Sequence, residues 1–350
     1  MSGAPRKVGI VGASGYGGAE LLRLCAGHPN LEVAVAQAGS AAGQHIAAHT
    51  PSLAAAYPDL AYGRADIDGL DGLDVVFLAL PHGRSQSLVP GLVDRVGLVV
   101  DLAADYRLAD PGAYPTWYGE AHTSPELLAT FVYGLPELHR SELVGATRIA
   151  APGCYPTAAL LALAPLLEAG ALDVPGAGGA PALVVDAASG TSGAGRAPTE
   201  SLHFAAVDED FVAYGLLDHR HTAEMEQGLG TTVLFTPHLA PMVRGILATC
   251  YARPADPRSL TTEDAMQLLR DRYDHEPFVV VADAPPSTKS ASGSNTAHLS
   301  VRVDPRTGWV VVLSAIDNLI KGAAGQAVQC ANLALGLPEV TGLPMAGVYP

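Results

Sequence analysis

The chain has 350 residues, of which 49% are apolar and 16% charged, and its formal net charge at pH 7 is −15. This length allows two domains that each bury a core of their own. Because only 20 residues are Lys or Arg, the charge argues against a nucleic-acid or anionic-membrane partner.

The cysteines indicate the cellular compartment. None of the four has a metal-binding spacing such as C-x-x-C, and they stand at Cys25, Cys154, Cys250 and Cys330. The chain has no signal-peptide pattern and no uninterrupted apolar segment of membrane-spanning length. We therefore expect a cytoplasmic protein with reduced thiols, no membrane partner and no metal site.

A strand, a glycine-rich turn and a helix are predicted first. A β-rich run at 8–11 precedes glycines at 12, 15 and 18, and a helical pattern follows from Ala19. In a dinucleotide-binding turn, such glycines make the tight turn, admit the pyrophosphate and allow close helix packing. The predicted cofactor contacts here are Gly12, Ser14, Gly15, Tyr16 and Gly17. An ordinary tight turn is the alternative.

The second predicted strand, 31–37, bears on which dinucleotide binds. A carboxylate at its end would hold the 2′-hydroxyl of NAD, but this strand ends in Gln37, and Glu32 lies near its start. The missing carboxylate favours NADP. Ser40 is a candidate phosphate contact, although it reads equally well as a loop serine.

Two more buried strands are predicted at 74–80 and 98–102. Ligands of open α/β sheets bind beyond the carboxyl ends of the strands. Pro81, His82 and Gly83 follow the first of these strands and are therefore candidates for the cofactor side. His82 is equally well interpreted as a loop histidine.

Arg107 is a rare cation beyond a strand end. Its guanidinium can hold a substrate phosphate bidentately, or it can form a salt bridge with Asp105 or Asp110. Turn-rich sequence follows, and the first domain is expected to close near Gly153.

Cys154 is predicted to lie at or just before a helix N-terminus. A helix-forming apolar run extends from Thr157 to Ala169, and Pro156 suits a first helical turn. The unpaired amides and the dipole at that end favour a thiolate. Cys154 is thus a candidate nucleophile, with a buried structural cysteine as the alternative.

A second glycine-rich segment follows a strand predicted at 182–187. Its glycines and hydroxyl residues expose many backbone amides, which suits an anion; a flexible linker is the alternative. The candidate cofactor contacts in it are Ser189, Gly190, Ser192 and Gly193.

Two histidines are predicted to lie in a loop at a helix start, with Thr222 as the N-cap. Either His219 or His221 can serve as the acid–base partner of the thiol, because histidine titrates near neutral pH. The pair could instead bind zinc together with Glu224, or be structural.

The C-terminal part is predicted to contain strands at 235–239 and 245–251, which flank Arg244, and a last strand at 309–315. The last strand leads through Asn318 into a helix at 320–335. Gly and Ala in the first turns of that helix permit close backbone approach, and Asn318 can hydrogen-bond a carboxamide.

These segments, in this order, resemble the N-acetyl-gamma-glutamyl-phosphate reductases over nearly the whole chain: 12–20, 101–108, 133–138, 151–158, 189–196, 219–226, 235–249 and 315–329. The runs 152–157 and 219–221 are the most specific. Departures at Gly17, Gly18 and Ala151 fall where this family varies or often has Asn.

The resemblance implies an α/β protein with a Rossmann-type dinucleotide-binding domain at 1–153 together with 319–350. It implies an α+β catalytic and dimerisation domain of the semialdehyde dehydrogenase type at 154–318. The implied reaction is the NADPH-dependent reduction of N-acetyl-L-glutamyl 5-phosphate to the 5-semialdehyde and phosphate, in arginine biosynthesis. NADP is the implied cofactor, an acyl phosphate the small-molecule substrate, and a homodimer or tetramer the assembly.

The resemblance also suggests Cys154 as the nucleophile that carries a thioester. Between the histidines, His221 is favoured over His219 as the acid–base. The candidate substrate contacts are Arg107, Tyr155, Glu224 and Arg244. Alternatives are another phosphorylating semialdehyde dehydrogenase, a dinucleotide-sensing protein with an inert fold, and a thiol hydrolase.

Overall fold

The computed structural model describes residues 4–174, 183–256 and 260–349. The chain divides into two compact units, Met1–Pro152 with Ala323–Leu343, and Gly153–Gly322 with Pro344–Pro350. We had expected Gly153, 319–322 and 344–350 in the first domain. Backbone hydrogen bonds explain their place in the second unit, because Gly322 N donates to Asp317 O and Val348 N donates to Ser292 O.

The first unit contains a six-stranded sheet in which every pairing is parallel. Its strands are β1 Arg6–Val11, β2 Leu31–Gln37, β3 Val75–Leu78, β4 Leu98–Asp101, β5 Val132–Tyr133 and β6 Arg148–Ala150. Their order is β2-β1-β3-β4-β6-β5. The central strands β3 and β4 are buried at every residue, as expected for a parallel sheet covered on both faces.

Helices surround this sheet. The α-helices of the first unit are α1 Tyr16–Ala26, α2 Ile46–His49, α3 Ser85–Leu88, α4 Tyr114–Tyr118, α5 Pro136–Leu143 and, late in the chain, α11 Gly325–Ala334. Short 3₁₀ turns occur at Pro51–Leu53, Asp68–Leu70, Val89–Gly91, Pro111–Ala113 and Pro125–Thr130. The helix α11 contacts α1 and α5. Gln326 Nε2 and Cys330 Sγ both donate to Gly134 O, which anchors α11 in this unit.

The second unit contains a seven-stranded mixed sheet. Its strands are β7 Leu183–Gly190, β8 Val212–Ala213, β9 Val233–Ala240, β10 Ile246–Ala252, β11 Val279–Val281, β12 Ala297–Val303 and β13 Val310–Ile316. Their order is β11-β12-β13-β10-β7-β9-β8, with parallel pairing only for β7–β9 and β11–β12. The predicted α/β and α+β architectures are thus confirmed.

The helices of the second unit are α6 Cys154–Glu168, α7 Phe204–Val207, α8 His221–Leu229, α9 Thr262–Tyr273 and α10 Thr288–Ala291, with a π-helical turn at Ile320–Ala324 and 3₁₀ turns at Thr191–Ala194 and Glu200–Leu202. The helix α6 is apolar on all sides and almost fully buried against the sheet and other helices. Along β7 and β10, buried residues alternate with partly exposed ones, so one face of the sheet is covered less.

The structure corrects three local predictions. Ser189 and Gly190 are the last residues of β7, not part of a loop, because β9 and β10 pair with that strand to its end. His221 is the first residue of α8 and Arg220 is its N-cap, so Thr222 is not the cap. The C-terminal helix begins with a π-helical turn. Ala182, predicted to start β7, lies outside the described residues.

No helix in the described part of the chain is long and apolar enough to span a membrane.

Candidate active site

Cys154 is the first residue of α6, as the sequence pattern predicted. Gly153, its N-cap, has an extended backbone, with φ −68° and ψ 155°. None of the four cysteines forms a disulfide, and Cys154 alone is not buried. Burial raises the pKa of Cys25 and of Cys250 to about 12, so these two are inert core thiols. Cys154 is therefore the accessible thiol, located at a helix N-terminus.

A buried carboxylate holds the turn before the cysteine. Glu224, on α8, is fully buried, and its Oε1 accepts a hydrogen bond of 2.8 Å from the Gly153 N–H. The Gly153 carbonyl in turn accepts from both the amide and the hydroxyl of Thr157. The Gly153 N–H already donates to Glu224. An oxyanion near Cys154 must therefore be stabilised by a backbone amide that follows Gly153 in the sequence. Glu224 was predicted to be a substrate contact, and in the structure its Oε1 holds the turn before Cys154.

The two histidines lie beside this turn. A Cβ placed on Gly153 would come within 2.4 Å of His221 Nε2, so the His221 imidazole packs directly against the glycine before the cysteine. The His219 ring lies 4.8 Å from that of His221, centroid to centroid, and its Nδ1 accepts the His221 N–H. Burial, followed by the charge of Arg220, lowers the pKa of His219 to about 4. His219 is therefore neutral at physiological pH.

The Tyr155 ring contacts the rings of both histidines. Its ring lies 5.7 Å from that of His219 and 5.9 Å from that of His221. Its hydroxyl donates to the His238 carbonyl and lies 3.1 Å from the Tyr214 hydroxyl. Burial raises the pKa of Tyr155, and Tyr155 is only 2% exposed. These contacts describe a packing residue.

Gly322, in the π-helical turn, makes the close backbone approach that its Gly- and Ala-rich sequence indicated. A Cβ on Gly322 would stand 2.7 Å from the Cβ of Cys154. Any side chain at this position would therefore displace the cysteine.

The predicted cofactor contacts of the second unit cluster around Asn318, which is 2% exposed. Its Oδ1 accepts from Gly245 N at 2.7 Å, and its Nδ2 donates to Ser192 Oγ at 3.0 Å. Close packing requires glycine at Gly190, where a Cβ would meet Val243 O at 2.7 Å, while Gly193 packs beside Ser189 Oγ. The Asn318 amide group thus joins the turn at Ser192 to the backbone at Gly245.

The glycine-rich turn of the first unit has the geometry expected of a dinucleotide-binding turn. Gly12 has φ +82°, and a Cβ there would lie 2.2 Å from Ala79 O. A Cβ on Gly18 would lie 2.4 Å from Gly12 O, so α1 packs tightly on the turn. Gly15 is the N-cap of α1, with no side-chain cap and no acidic residue in the first turn. A helix N-terminus of this kind suits a phosphate group.

The end of β2 presents no carboxylate from its own residues. Gln37 is buried, and its amide group exchanges two hydrogen bonds with the backbone of Asp66. Ser40 is exposed beyond the strand, and Glu32 is exposed near the strand start. These positions are compatible with a 2′-phosphate.

His82, after β3, is held by its neighbours. Its Nδ1 lies 2.7 Å from Asp105 Oδ1, and its ring lies 4.2 Å from that of Tyr118. Asp105 therefore pairs with His82.

Arg107 lies at the carboxyl ends of two strands. Its Nε donates to Ala151 O and its Nη2 donates to Leu102 O, both at 2.8 Å. The side chain is 8% exposed. Arg107 thus fastens the chain just beyond β4 and β6.

The second unit brings together the predicted site residues Cys154, Tyr155, His219, His221 and Glu224. Among the described residues, no group of three or more His, Cys, Asp or Glu is arranged to hold a metal ion. No role was predicted from the sequence for Asp317, whose carboxylate accepts from the amides of Gly293, Leu319 and Ile320. The position of Asp317 directly after the last strand and before Asn318 was the available signal.

Two family models match the chain. One, described as the semialdehyde dehydrogenase NAD binding domain, covers residues 7–146, and the other, the semialdehyde dehydrogenase dimerisation domain, covers residues 154–318. A solved aspartate semialdehyde dehydrogenase II from Vibrio cholerae aligns with a TM-score of 0.70 at 17% identity, over 95% of this chain and 99% of that one. The Candida albicans enzyme, solved with NADP, aligns at 0.67 and 18%, over 94% and 98%. The two family models and the shared fold place the chain in the semialdehyde dehydrogenase class.

Curated relatives narrow this class. N-acetyl-gamma-glutamyl-phosphate reductases from Symbiobacterium thermophilum and Desulforudis audaxviator are each 50% identical, over 98% of this chain and 99% of theirs. The one from Synechococcus elongatus is 46% identical over 98% of each chain. The chain belongs to the N-acetyl-gamma-glutamyl-phosphate reductase family.

Proposed function

We propose that this protein reduces N-acetyl-L-glutamyl 5-phosphate to N-acetyl-L-glutamate 5-semialdehyde and phosphate, with NADPH as reductant and Cys154 as nucleophile, in arginine biosynthesis. The observation that carries the proposal is the accessible thiol at the N-terminus of α6, with His221 packed against the preceding glycine. Half of all aligned residues are identical to those of reductases with this name.

The Cys154 thiolate attacks the acyl carbonyl, and a carbon–sulfur bond forms as the bond to phosphate breaks. Phosphate leaves with the bonding electron pair, and a thioester remains on Cys154. A free carboxylate is not electrophilic enough for this chemistry, which is why the acyl group arrives as a phosphate. The Gly153 N–H already donates to Glu224, so the oxyanion is stabilised instead by amides in the first turn of α6.

The glycine turn and the start of α1 fit a dinucleotide. Neighbouring backbone atoms leave no room for a side chain at Gly12 or Gly18, and the first turn of α1 contains no acidic residue. Gly15, Tyr16 and Gly17 would hold its phosphates, and Ser40 a 2′-phosphate. Bound NADPH supplies the hydride that reduces the thioester. His221 then gives a proton to the departing thiolate or to the oxyanion.

The assembly is proposed to be a homodimer or tetramer in the cytoplasm. Val184, Tyr251, Trp309 and Val311 line a shallow depression on the second sheet. This surface lies in the segment matched by the dimerisation-domain model, and free thiols suit a reducing compartment. Sedimentation velocity at micromolar concentration tests the assembly, and a single species of one-chain mass would contradict it.

The activity is tested by phosphate-dependent reduction of NADP⁺ with N-acetyl-glutamate semialdehyde, with aspartate semialdehyde in parallel. We expect turnover only with the acetylated substrate, and we expect Cys154→Ser to abolish turnover while NADP⁺ binding persists. Preference for aspartate semialdehyde would point to another member of the class. Full activity of the serine variant would contradict the mechanism.

A further inference from the structure

A fully buried carboxylate stands at the end of β13. Asp317 is 0% exposed. Its Oδ1 accepts from the amides of Leu319, at 2.8 Å, and Ile320, at 3.2 Å. Its Oδ2 accepts from Gly293 N at 2.8 Å. These donors offset the cost of burying the carboxylate.

The same carboxylate holds Arg244. The Arg244 Nη1 lies 3.3 Å from Oδ2 of Asp317 and 3.5 Å from Oδ1, and the Arg244 side chain is 30% exposed. The guanidinium is thus tethered on one side to a buried anion, while part of it stays accessible. An arginine that is fixed in this way and partly exposed is positioned to bind an oxyanion.

Asp317 is also a near neighbour of the nucleophile. Its carbonyl accepts the N–H of Gly322 at 2.9 Å. A Cβ on Gly322 would stand 3.4 Å from that carbonyl oxygen and 2.7 Å from the Cβ of Cys154. Asp317 and Cys154 therefore flank the same glycine, and Arg244 is bonded to the residue on one side of it.

We propose that Asp317 is a positioning residue that holds Arg244 to bind an anionic group of the substrate beside Cys154. The inference rests on the proposed function. The acyl phosphate offers two such groups, the phosphate and the α-carboxylate, and both suit a guanidinium. In the direction of semialdehyde oxidation these groups arrive on separate molecules, inorganic phosphate and the semialdehyde, so the KM for each can be measured separately.

The test is a double-mutant cycle with Asp317→Asn and Arg244→Gln, assayed by NADP⁺ reduction. Asparagine keeps an acceptor for Leu319 and Ile320 but turns an NH₂ group toward Gly293 and Arg244. Each single variant should raise the KM of the same co-substrate about tenfold, with kcat changed much less. The co-substrate affected identifies the anion that Arg244 binds.

The cycle separates positioning from general damage. If Asp317 acts through Arg244, the Asp317→Asn change adds nothing to that KM in the Arg244→Gln background. If the KM increases of the two single variants multiply in the double variant, the proposal is overturned. An Arg244→Gln variant with unchanged KM values would also overturn it, and this test remains even if Asp317→Asn does not fold. Asp304→Asn is the matched control, because Asp304 pairs with Arg306 in the turn that joins β12 to β13, and its KM values should stay at wild type.

A second measurement does not depend on turnover. Phosphate and N-acetylglutamate, each alone, should slow alkylation of Cys154 by iodoacetamide. In both single variants one of the two anions should lose about tenfold in protection. If both anions protect the variants as well as they protect the wild type, the role of Arg244 is overturned. If the wild type shows the expected protection by these anions but no turnover, only the proposed reaction is contradicted.

Discussion

Glu224 and Gly153 are joined by a hydrogen bond that fixes the backbone immediately before Cys154. The Glu224 Oε1 lies 2.8 Å from Gly153 N, across 71 residues of sequence, and Glu224 is completely buried. The bond directs the Gly153 amide away from any substrate oxyanion. It also links α8, which begins at His221, to the start of α6.

Glu224→Ala leaves the buried Gly153 amide without this acceptor, which typically costs about 1–3 kcal/mol. We expect lower stability and a kcat reduced by about tenfold or more, whereas Glu224→Gln, whose amide oxygen still accepts, keeps most of the activity. Thermal melting and steady-state kinetics measure both effects. Equal loss in the two variants would mean that the charge of Glu224, not its acceptor role, is required.

The two histidines should contribute unequally to catalysis. Because burial and Arg220 lower the pKa of His219 to about 4, His219 is neutral near pH 7 and is not present there as the acidic imidazolium. We expect His221→Asn to reduce kcat by about 10²–10⁴-fold, the range for a lost general acid–base, and His219→Asn to reduce it far less. The pH profile of kcat/KM should lose a limb only in the His221 variant. Loss of that limb in the His219 variant instead would reverse the assignment.

His219 should also affect stability in acid. Its folded pKa is below the usual 6.5, so the unfolded chain binds more protons between about pH 4 and 6.5, and His219 lowers stability as the pH falls through that window. His219→Phe removes the titrating group and should flatten this loss. Thermal midpoints from pH 4 to 7 provide the comparison, and an unchanged slope would show that His219 titrates normally.

Close packing around the cysteine should forbid even one methyl group. In Gly153→Ala the new Cβ would meet His221 Nε2 at 2.4 Å, and in Gly322→Ala it would meet Cys154 Cβ at 2.7 Å. Both variants should lose most of their activity, because small displacements at a reacting centre are costly. Gly39→Ala, which has open space at that position, is the matched control. Wild-type rates in either active-site variant would disprove the packing argument.

A pH-dependent stability term is expected in the first unit. Ser85 Oγ lies 2.8 Å from Oδ2 of both Asp101 and Asp105. A hydroxyl carries one hydrogen, so one of the carboxyl groups must supply the other. Burial, and then the charge of Asp105, raises the pKa of Asp101 from 3.8 to about 7. For Asp105, burial acts upward, but hydrogen bonds from His82, Gly83 and Gln86 lower its pKa to about 2.

The folded state therefore retains a proton on Asp101 that the unfolded chain releases, and stability should fall as the pH rises from about 4 to 7. Asp101→Asn donates to Ser85 in place of that proton and does not titrate, so it should remove this decline. Chemical denaturation at several pH values measures the slope. A variant that keeps the wild-type slope would place the proton elsewhere.

Local patterns predicted much of the fold. The strand expected at 31–37 is β2, Leu31–Gln37, and Cys154 was expected at a helix start because Gly and Pro flank it and apolar helix formers follow. Such features depend on neighbours a few residues apart, which periodicity and capping chemistry report directly. The motifs around Cys154 and His219 also indicated the family, which the comparisons confirm.

The sequence by itself therefore determined the α/β architecture, the glycine turn, the helix start at Cys154 and the family. Only the tertiary structure decided which polar groups meet. Glu224 bonds to Gly153 across 71 residues and Arg244 to Asp317 across 73, and no local pattern marks either pair. A buried polar side chain needs a partner, but its type says only that a partner exists. Which one it is depends on how distant strands and helices are brought together.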